Sequence, residues 1–532
     1  MPKIALLCLV ALSGAWGGQG ESSDNSYAVV DRTLVDDLQS RVSSLERRLR
    51  AIEQPVWQIS GASEKWDVCA EGPCKCRMET KSLSCCGLDL ADLPATQLVP
   101  KDVLKLDLSN NQLTALHKAA FNYLNRLIYL DINHNAIEHL PISLFYQLHN
   151  VTHVRLSNNH LRELDKNQLI RLRNLEILDL SSNKLRKLPE NLFSFNTALA
   201  ILDLSANRIS TLASAAFDGL RTLDELLLSR NQLNNLPDDA FTGLFNLQRL
   251  SLEENQLSEL PPGIFAALNS LRELNLRNNR LQSLPSNLLA PLARLQLLDL
   301  SSNKITHISP MAFHGLESLR ELVLGHNCLK KFSRGVFQPL GSLERLVLHA
   351  NGLQLLEAED LAGLGNLTTL FVHSNHLRLV HPASFRDTPR LRKLQLESNF
   401  LNHLPKGLFD RTANLSQLRL SRNPWHCDCA SSYLSGWLRK RYQQHLRADN
   451  GDDNNDTTTA TNSREWELDA GAVCKTPGIL GGKPLAMLTY RELCDGQWAS
   501  MKGLTPRLPL PHELVNRRGP LDVSISWPSV TD

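Results

Sequence analysis

The sequence predicts an α/β repeat solenoid. Three observations carry this: an asparagine returns at a constant interval of 24, leucines hold fixed places around it, and no insertion breaks the series. The asparagines are Asn111, Asn135, Asn159, Asn183, Asn207, Asn231, Asn255, Asn279, Asn303, Asn327, Asn351, Asn375, Asn399 and Asn423. A chance spacing drifts. One that holds through 14 occurrences marks 14 coils across residues 103–424, each stacking only on its neighbours.

The frame reads Leu175-x-x-Leu178-x-Leu180-x-x-Asn183-x-Leu185-x-x-Leu188, and Leu223 to Leu236 and Leu271 to Leu284 repeat it. Alternating leucines predict a short strand with one buried face. Phe121, Phe145, Phe193, Phe217, Phe241, Phe265, Phe313 and Phe337 fill the rest of their coils. An amide both donates and accepts, so a column of asparagines can satisfy backbone groups stranded in buried turns. The pattern resembles extracellular leucine-rich repeats of the typical 24-residue kind. That resemblance implies a curved horseshoe with a parallel sheet on its concave face.

Taken in order, residues 1–20 read as a signal peptide: Lys3, then the apolar run Ile4 to Leu12, then small residues around Ser13-Gly14-Ala15 or Ala15-Trp16-Gly17. No later run is long and apolar enough to span a bilayer, and the polar end from Ser524 to Asp532 lacks a lipid-anchor signal. The expectation is a secreted protein in the extracellular space, where disulfides form. A formal net charge of +2 argues against a general nucleic-acid binder.

Residues 27–54 carry a different period. Val35, Leu38, Val42, Leu45, Leu49 and Ile52 step by three and four along a seam rimmed with charge, and Pro55 ends it. This predicts a short coiled-coil helix joining copies into a homo-oligomer through residues 35–52. Arg41-Val42-Ser43-Ser44-Leu45-Glu46 also resembles a pattern of short three-stranded coiled coils. An amphipathic helix folded on its own domain, or a disordered leader, is the alternative.

A solenoid exposes apolar ends and needs a lid at each. Cys69, Cys74, Cys76 and Cys85 resemble the family's amino-terminal cysteine cap, predicted over 69–102. Cys427, Cys429, Cys474 and Cys494, with Trp437, resemble its carboxy-terminal cap, predicted over 425–494. Four cysteines allow three connectivities. The resemblance implies Cys69–Cys76, Cys74–Cys85, Cys427–Cys474 and Cys429–Cys494. Residues 447–465, rich in Asp, Asn and Thr, read as a loop insertion, and 495–532, broken by Pro506, Pro509, Pro511, Pro520 and Pro528, as an extended tail. Cys8 leaves with the signal peptide. Cys86 and Cys328 remain, too far apart to pair within one chain, and Cys86 is a candidate for an interchain bond against a free thiol.

No enzyme motif, cofactor loop or metal spacing is present, so the chain reads as non-enzymatic, with no cofactor and no metal. Solenoids bind through their concave surface. There the residue four before each ladder asparagine points outward. That column runs Asp107, Asp131, Arg155, Asp179, Asp203, Leu227, Ser251, Asn275, Asp299, Val323, Val347, Phe371, Gln395, Arg419. Val323, Val347 and Phe371 interrupt a mostly polar succession, with His349 and His373 beside them and His326, His376 and Phe400 nearby. An apolar patch with a polar rim marks a protein contact. The candidate partner site therefore comprises Val323, Val347, Phe371, His349, His373 and Phe400, within 319–404. Cover by sugar or by the chain's own tail is the alternative, and a second candidate face holds Tyr129, His153, Arg155, Ile177 and Ile201. Zinc binding or pH sensing is a minor reading of the histidines.

Sequons stand at Asn150, Asn366, Asn414 and Asn455, the first three at one repeat position along one edge. The functional expectation is an extracellular ligand, receptor or adhesion protein that binds another protein, with matrix scaffolding and innate immune recognition as alternatives that share the same parts.

Overall fold

The computed structural model describes Val42, Leu45, Leu49 and residues 57–59, 66–449 and 471–494. The chain forms two units, Met1–Glu53 and Gln54–Asp532. In the first, Val42, Leu45 and Leu49 are helical and exposed. The signal segment 1–20, the other seam residues Val35, Leu38 and Ile52, the tail 495–532 and Asn455 lie outside the described residues.

The second unit is a solenoid. An antiparallel pair, Lys75–Arg77 and Ser82–Ser84, opens a 16-stranded sheet. From Lys105–Asp107 to Gln417–Arg419 all its strands are parallel, each displaced by one repeat. The central residue of each, from Leu106 to Leu418, is buried, and its two flanks face the concave side. One uninterrupted interval thus becomes one register.

The ladder supplies the corner after each strand. In the middle of the solenoid Asn303 Nδ2 donates to Leu276 O at 2.9 Å and Leu300 O at 3.0 Å. Its Oδ1 accepts from Leu281 N at 3.1 Å. The same three bonds recur at Asn279 and Asn327, linking each coil to the one before. The residue preceding each asparagine lies in the left-handed region, φ between 51° and 56°, from Asn110 to Arg422. Five of the 14 are the Asn or His that favour it; others such as Ala206, Glu254 and Ala350 are held there by the bonds around them.

Behind the sheet the phenylalanines stack: Phe193 on Phe217 at 6.1 Å, Phe217 on Phe241 at 6.2 Å, Phe313 on Phe337 at 5.8 Å. Phe385 and Phe409 extend the column. Leu169, Leu289 and Leu361 replace it in the remaining places, equally buried.

Disulfides close both ends, Cys69–Cys76 and Cys74–Cys85 at one, Cys427–Cys474 and Cys429–Cys494 at the other. The amino-terminal lid begins well before the expected start at residue 69. Gln58–Ile59 pairs with Leu98–Val99, Trp57 is buried with its ring 6.3 Å from Phe121, and Trp66 Nε1 donates to Asp102 Oδ1 at 3.1 Å. Two indoles cover apolar surface that the short cysteine loops leave bare. Gln97, fully buried, donates to Cys69 O at 2.8 Å and accepts from Cys74 N at 3.0 Å.

At the other end the helix Ser432–Asp449 seats Trp437 4.9 Å from Phe409, and the Tyr433 hydroxyl accepts from Phe409 N at 3.0 Å. Asp428 caps the short turn before it by accepting from Ala430 N. The helix also corrects an expectation: residues 447–449, read as the start of a loop, are its last turn. Good helix formers, from Arg439 through Ala448, carry it to that point. Residues 450–465 lie outside the described residues.

Candidate functional site

Six of the 14 residues of the concave column are structural. Asp107, Asp179, Asp203 and Asp299 each accept a hydrogen bond from the backbone amide two residues on, at 3.0, 3.0, 2.8 and 2.8 Å. Asp131 does so for Asn133 and Asn275 for Arg277. These side chains finish the strand and start the turn. In the middle coils an ion-pair mesh occupies the next column: Arg249 reaches Glu225 at 3.1 Å and Glu273 at 3.2 Å.

Where Val323, Val347 and Phe371 stand, that capping bond is given up for apolar surface. The three sit on adjacent strands in register. Exposure is not shared equally, however. Val347 is only 3% exposed, which corrects its assignment as a contact residue. Its neighbours on both sides are apolar and the His349 ring lies beyond, so the middle member of the row is walled in. Val323 and Phe371 are half-buried. Arg345, ion-paired to Glu321 at 3.0 Å, lies 5.1 Å from the Phe371 ring centre. The cation rims the aromatic face.

The histidines form a row along the same coils. His349 and His373 stack at 4.8 Å, and His326 meets His349 edge-on at 4.8 Å. Phe371 lies 6.1 Å from His373. Gly325 makes room: a Cβ there would stand 2.5 Å from the His349 ring. The Nδ1 atoms of His349 and His373 are buried without a hydrogen-bond partner. Phe400, 51% exposed, stacks instead on His376 at 5.6 Å, beyond the ladder on the outgoing side. The six predicted residues thus divide into a concave group of Val323, Phe371, His349 and His373, a buried support in Val347, and a flanking pair built on Phe400.

Burial, then positive charge at His373 and His326, pushes His349 down to about 4. Burial lowers His373 too, with Glu397 opposing and Arg419 and His326 assisting. The fold therefore prefers neutral rings. Above about pH 6.5, where an unfolded histidine is also neutral, this contribution to stability is complete. As pH falls below that value the unfolded chain gains protons that the fold resists, so stability declines toward the folded value of about 4. A His349→Asn protein is expected to lose less stability than the parent between about pH 7 and about pH 4.5, read from urea midpoints. Parallel profiles would contradict the assignment.

The second candidate face is already satisfied within itself. The Tyr129 hydroxyl donates to Asp131 at 2.8 Å, and Arg155 lies 5.6 Å from the Tyr129 ring centre and 3.9 Å from Asp131. Burial, with the Asp131 bond, pushes the Tyr129 hydroxyl up to about 12. His153 adjoins at 6.0 Å, and Ile177 and Ile201 continue along the strands, half-buried.

The sequon asparagines Asn150, Asn366 and Asn414 have a backbone use of their own. Each amide donates to a carbonyl of the preceding coil: Asn125 O at 2.8 Å, Gly341 O at 2.8 Å and Pro389 O at 3.2 Å. Asn174 and Asn246, outside any sequon, do the same. Cys86 and Cys328 are exposed, and Ser109 Oγ donates to the Cys86 sulfur at 3.2 Å. Among the described residues no group of three or more metal-ligating side chains could hold a metal ion, and no helix is long and apolar enough to cross a membrane.

The leucine rich repeat family model matches residues 103–161, 173–233, 221–281, 293–353 and 365–424, together more than half of the chain. A leucine-rich-repeat protein of Leptospira interrogans is 30% identical, covers 68% of this chain and 94% of its own, and superposes with a TM-score of 0.57. Toll from Drosophila, solved in complex with Spatzle, is 22% identical over 73% of this chain, with a TM-score of 0.57. A plant peptide hormone receptor solved with RGF2 is 24% identical over 63%, with a TM-score of 0.50. Both of the latter share the fold, and the chain spans 55% and 54% of their lengths, about half. No curated protein matches the chain. The unbroken register, the asparagine ladder and the family match agree: the chain belongs to the leucine-rich repeat family.

Proposed function

We propose that this chain is a secreted, cysteine-capped leucine-rich-repeat protein that binds another protein without catalysis, through the concave face of residues 319–404. One observation carries the site: the capping residues of the concave column give way to Val323, Val347 and Phe371 beside two histidines whose buried Nδ1 atoms lack partners. A partner's apolar group on Val323 and Phe371 would cover the half-buried surface left open there, above the buried Nδ1 atoms. Paired cysteines at both ends support an oxidising compartment. Toll and the plant hormone receptor were solved with ligands, which supports a binding role for a solenoid of this shape.

The protein acts as an oligomer joined through residues 35–52. Val42, Leu45 and Leu49 are 52%, 62% and 56% exposed, apolar surface on a helix that a second copy would cover. Several tethered arms raise avidity by ~10²–10⁴ with no new contact. Deleting 27–54 is expected to reduce the mass seen by light scattering to that of one chain, and an unchanged mass would sink the oligomer. For the site, affinity capture on the intact protein with mass spectrometry is expected to retain an extracellular protein that a Phe371→Asp bait does not. Equal retention by both baits places the contact elsewhere.

A further inference from the structure

The strand-entry edge of the solenoid is chemically unlike the concave face. Residues seven and nine before each ladder asparagine project along it, and in the later coils many are arginines: Arg272, Arg294, Arg320, Arg390 and Arg392, all exposed. They line two grooves. One holds Arg320, Arg390 and Arg392 with Asn366, Thr368 and a single carboxylate, Glu344. The other holds Arg272 and Arg294 with Asn246, Gln248 and a single carboxylate, Asp224.

The backbone beneath is hydrogen-bonded from coil to coil. Glu344 N and Arg345 N both donate to Arg320 O, at 2.8 and 2.9 Å, and Arg392 N and Lys393 N both donate to Thr368 O, at 2.8 and 2.9 Å. Arg390 is turned into its groove by donating to Asn366 Oδ1. From the strand of Arg272 to that of Arg392 there are five steps in register. At ~4.8 Å per step the track is ~24 Å long.

We propose that this edge binds a linear sulfated polysaccharide. Guanidinium groups pair with sulfate oxygens through two parallel hydrogen bonds, and repeated sites along a line suit a polymer whose charges also repeat. The amides and hydroxyls between the arginines match sugar hydroxyls. Nucleic acid fits less well, because no aromatic side chain lines either groove to stack a base. The surface is separate from the concave patch, so one chain can hold a protein on its inner face and a polyanion on its edge.

The test uses the full chain and an immobilised heparin oligosaccharide, with its fully desulfated counterpart and single-stranded DNA as competitors. Glycans on Asn366 and Asn414 would stand in the same groove, so Asn366→Gln/Asn414→Gln is measured beside the parent. Retention of either protein that weakens as salt rises, and that falls about tenfold or more in Arg390→Glu/Arg392→Glu, supports the site. Arg272→Glu/Arg294→Glu, at the other groove, is expected to show a smaller loss. The proposal is overturned if neither protein is retained, if the desulfated sugar competes equally, if DNA competes better than heparin, or if Arg390→Glu/Arg392→Glu binds as the parent does. Unchanged thermal melting of the variants excludes misfolding as the cause.

Discussion

Replacing Asn303 by alanine is expected to destabilise the solenoid by about 2 kcal/mol, although the side chain touches no ligand and carries no charge. The amide is 7% exposed and serves both neighbouring turns. Its loss leaves Leu281 N without its acceptor, in a position that water cannot reach without opening the coil, and takes from Leu276 O one of its two amide donors, Asn279 Nδ2 being the other. A stranded group costs about 1–3 kcal/mol. The left-handed Ser302, φ 54°, also loses the bonds that hold it. Because each coil rests on its neighbours, the damage is expected to appear as early melting of the flanking coils, with a broadened urea transition. Asn303→Asp is expected to be worse, since a carboxylate would face the Leu276, Leu300 and Ser301 carbonyls that now accept from the amide. A change under about 0.5 kcal/mol in Asn303→Ala would show that the ladder is incidental.

The second large effect is on binding. Phe371→Asp is expected to weaken partner affinity about 30-fold or more, some 2 kcal/mol, the loss typical of a central aromatic contact. The substitution removes the half-buried ring and places a charge beside the apolar row. The fold should survive it, because Arg345, now 5.1 Å from the ring centre, can pair with the new carboxylate. Val347 would be a misleading probe, since a charge at a residue 3% exposed attacks the coil itself. Titration of the captured partner by calorimetry, with circular dichroism as the check on folding, reads the effect. Parent-like affinity would remove Phe371 from the contact.

How much of this was legible in the residues depends on the length scale. The interval of 24 identifies the coils, the strand face and the ladder, because an unbroken repeat leaves no freedom in register. The left-handed residue before each asparagine was not legible: Ala206, Arg230 and Glu254 carry no turn signal, and the conformation is imposed by the ladder bonds. Nor was the start of the amino-terminal lid, since Trp57 and Trp66 belong to no repeat and stand outside the cysteine pattern. Disulfide pairing came from resemblance, because four cysteines leave three possibilities.

At the candidate site, column position gives the direction of a side chain but not its depth. It therefore selected Val323, Val347 and Phe371 alike, and the structure separates them by what stands on either side. The fit of the His349 ring over Gly325 joins residues from different coils, and only coordinates show it. The arginine edge was hidden for a related reason. Its members alternate between two repeat positions, so no single column displays them.

The most direct test of the central claim is amide hydrogen exchange of the protein alone and with its captured partner. The account predicts slowed exchange in and just after the strands Glu321–Val323, Arg345–Val347 and Thr369–Phe371, extending to His326, Ala350 and Ser374. Slowing confined to Tyr129–Asp131 and His153–Arg155, with the later coils unchanged, would contradict it.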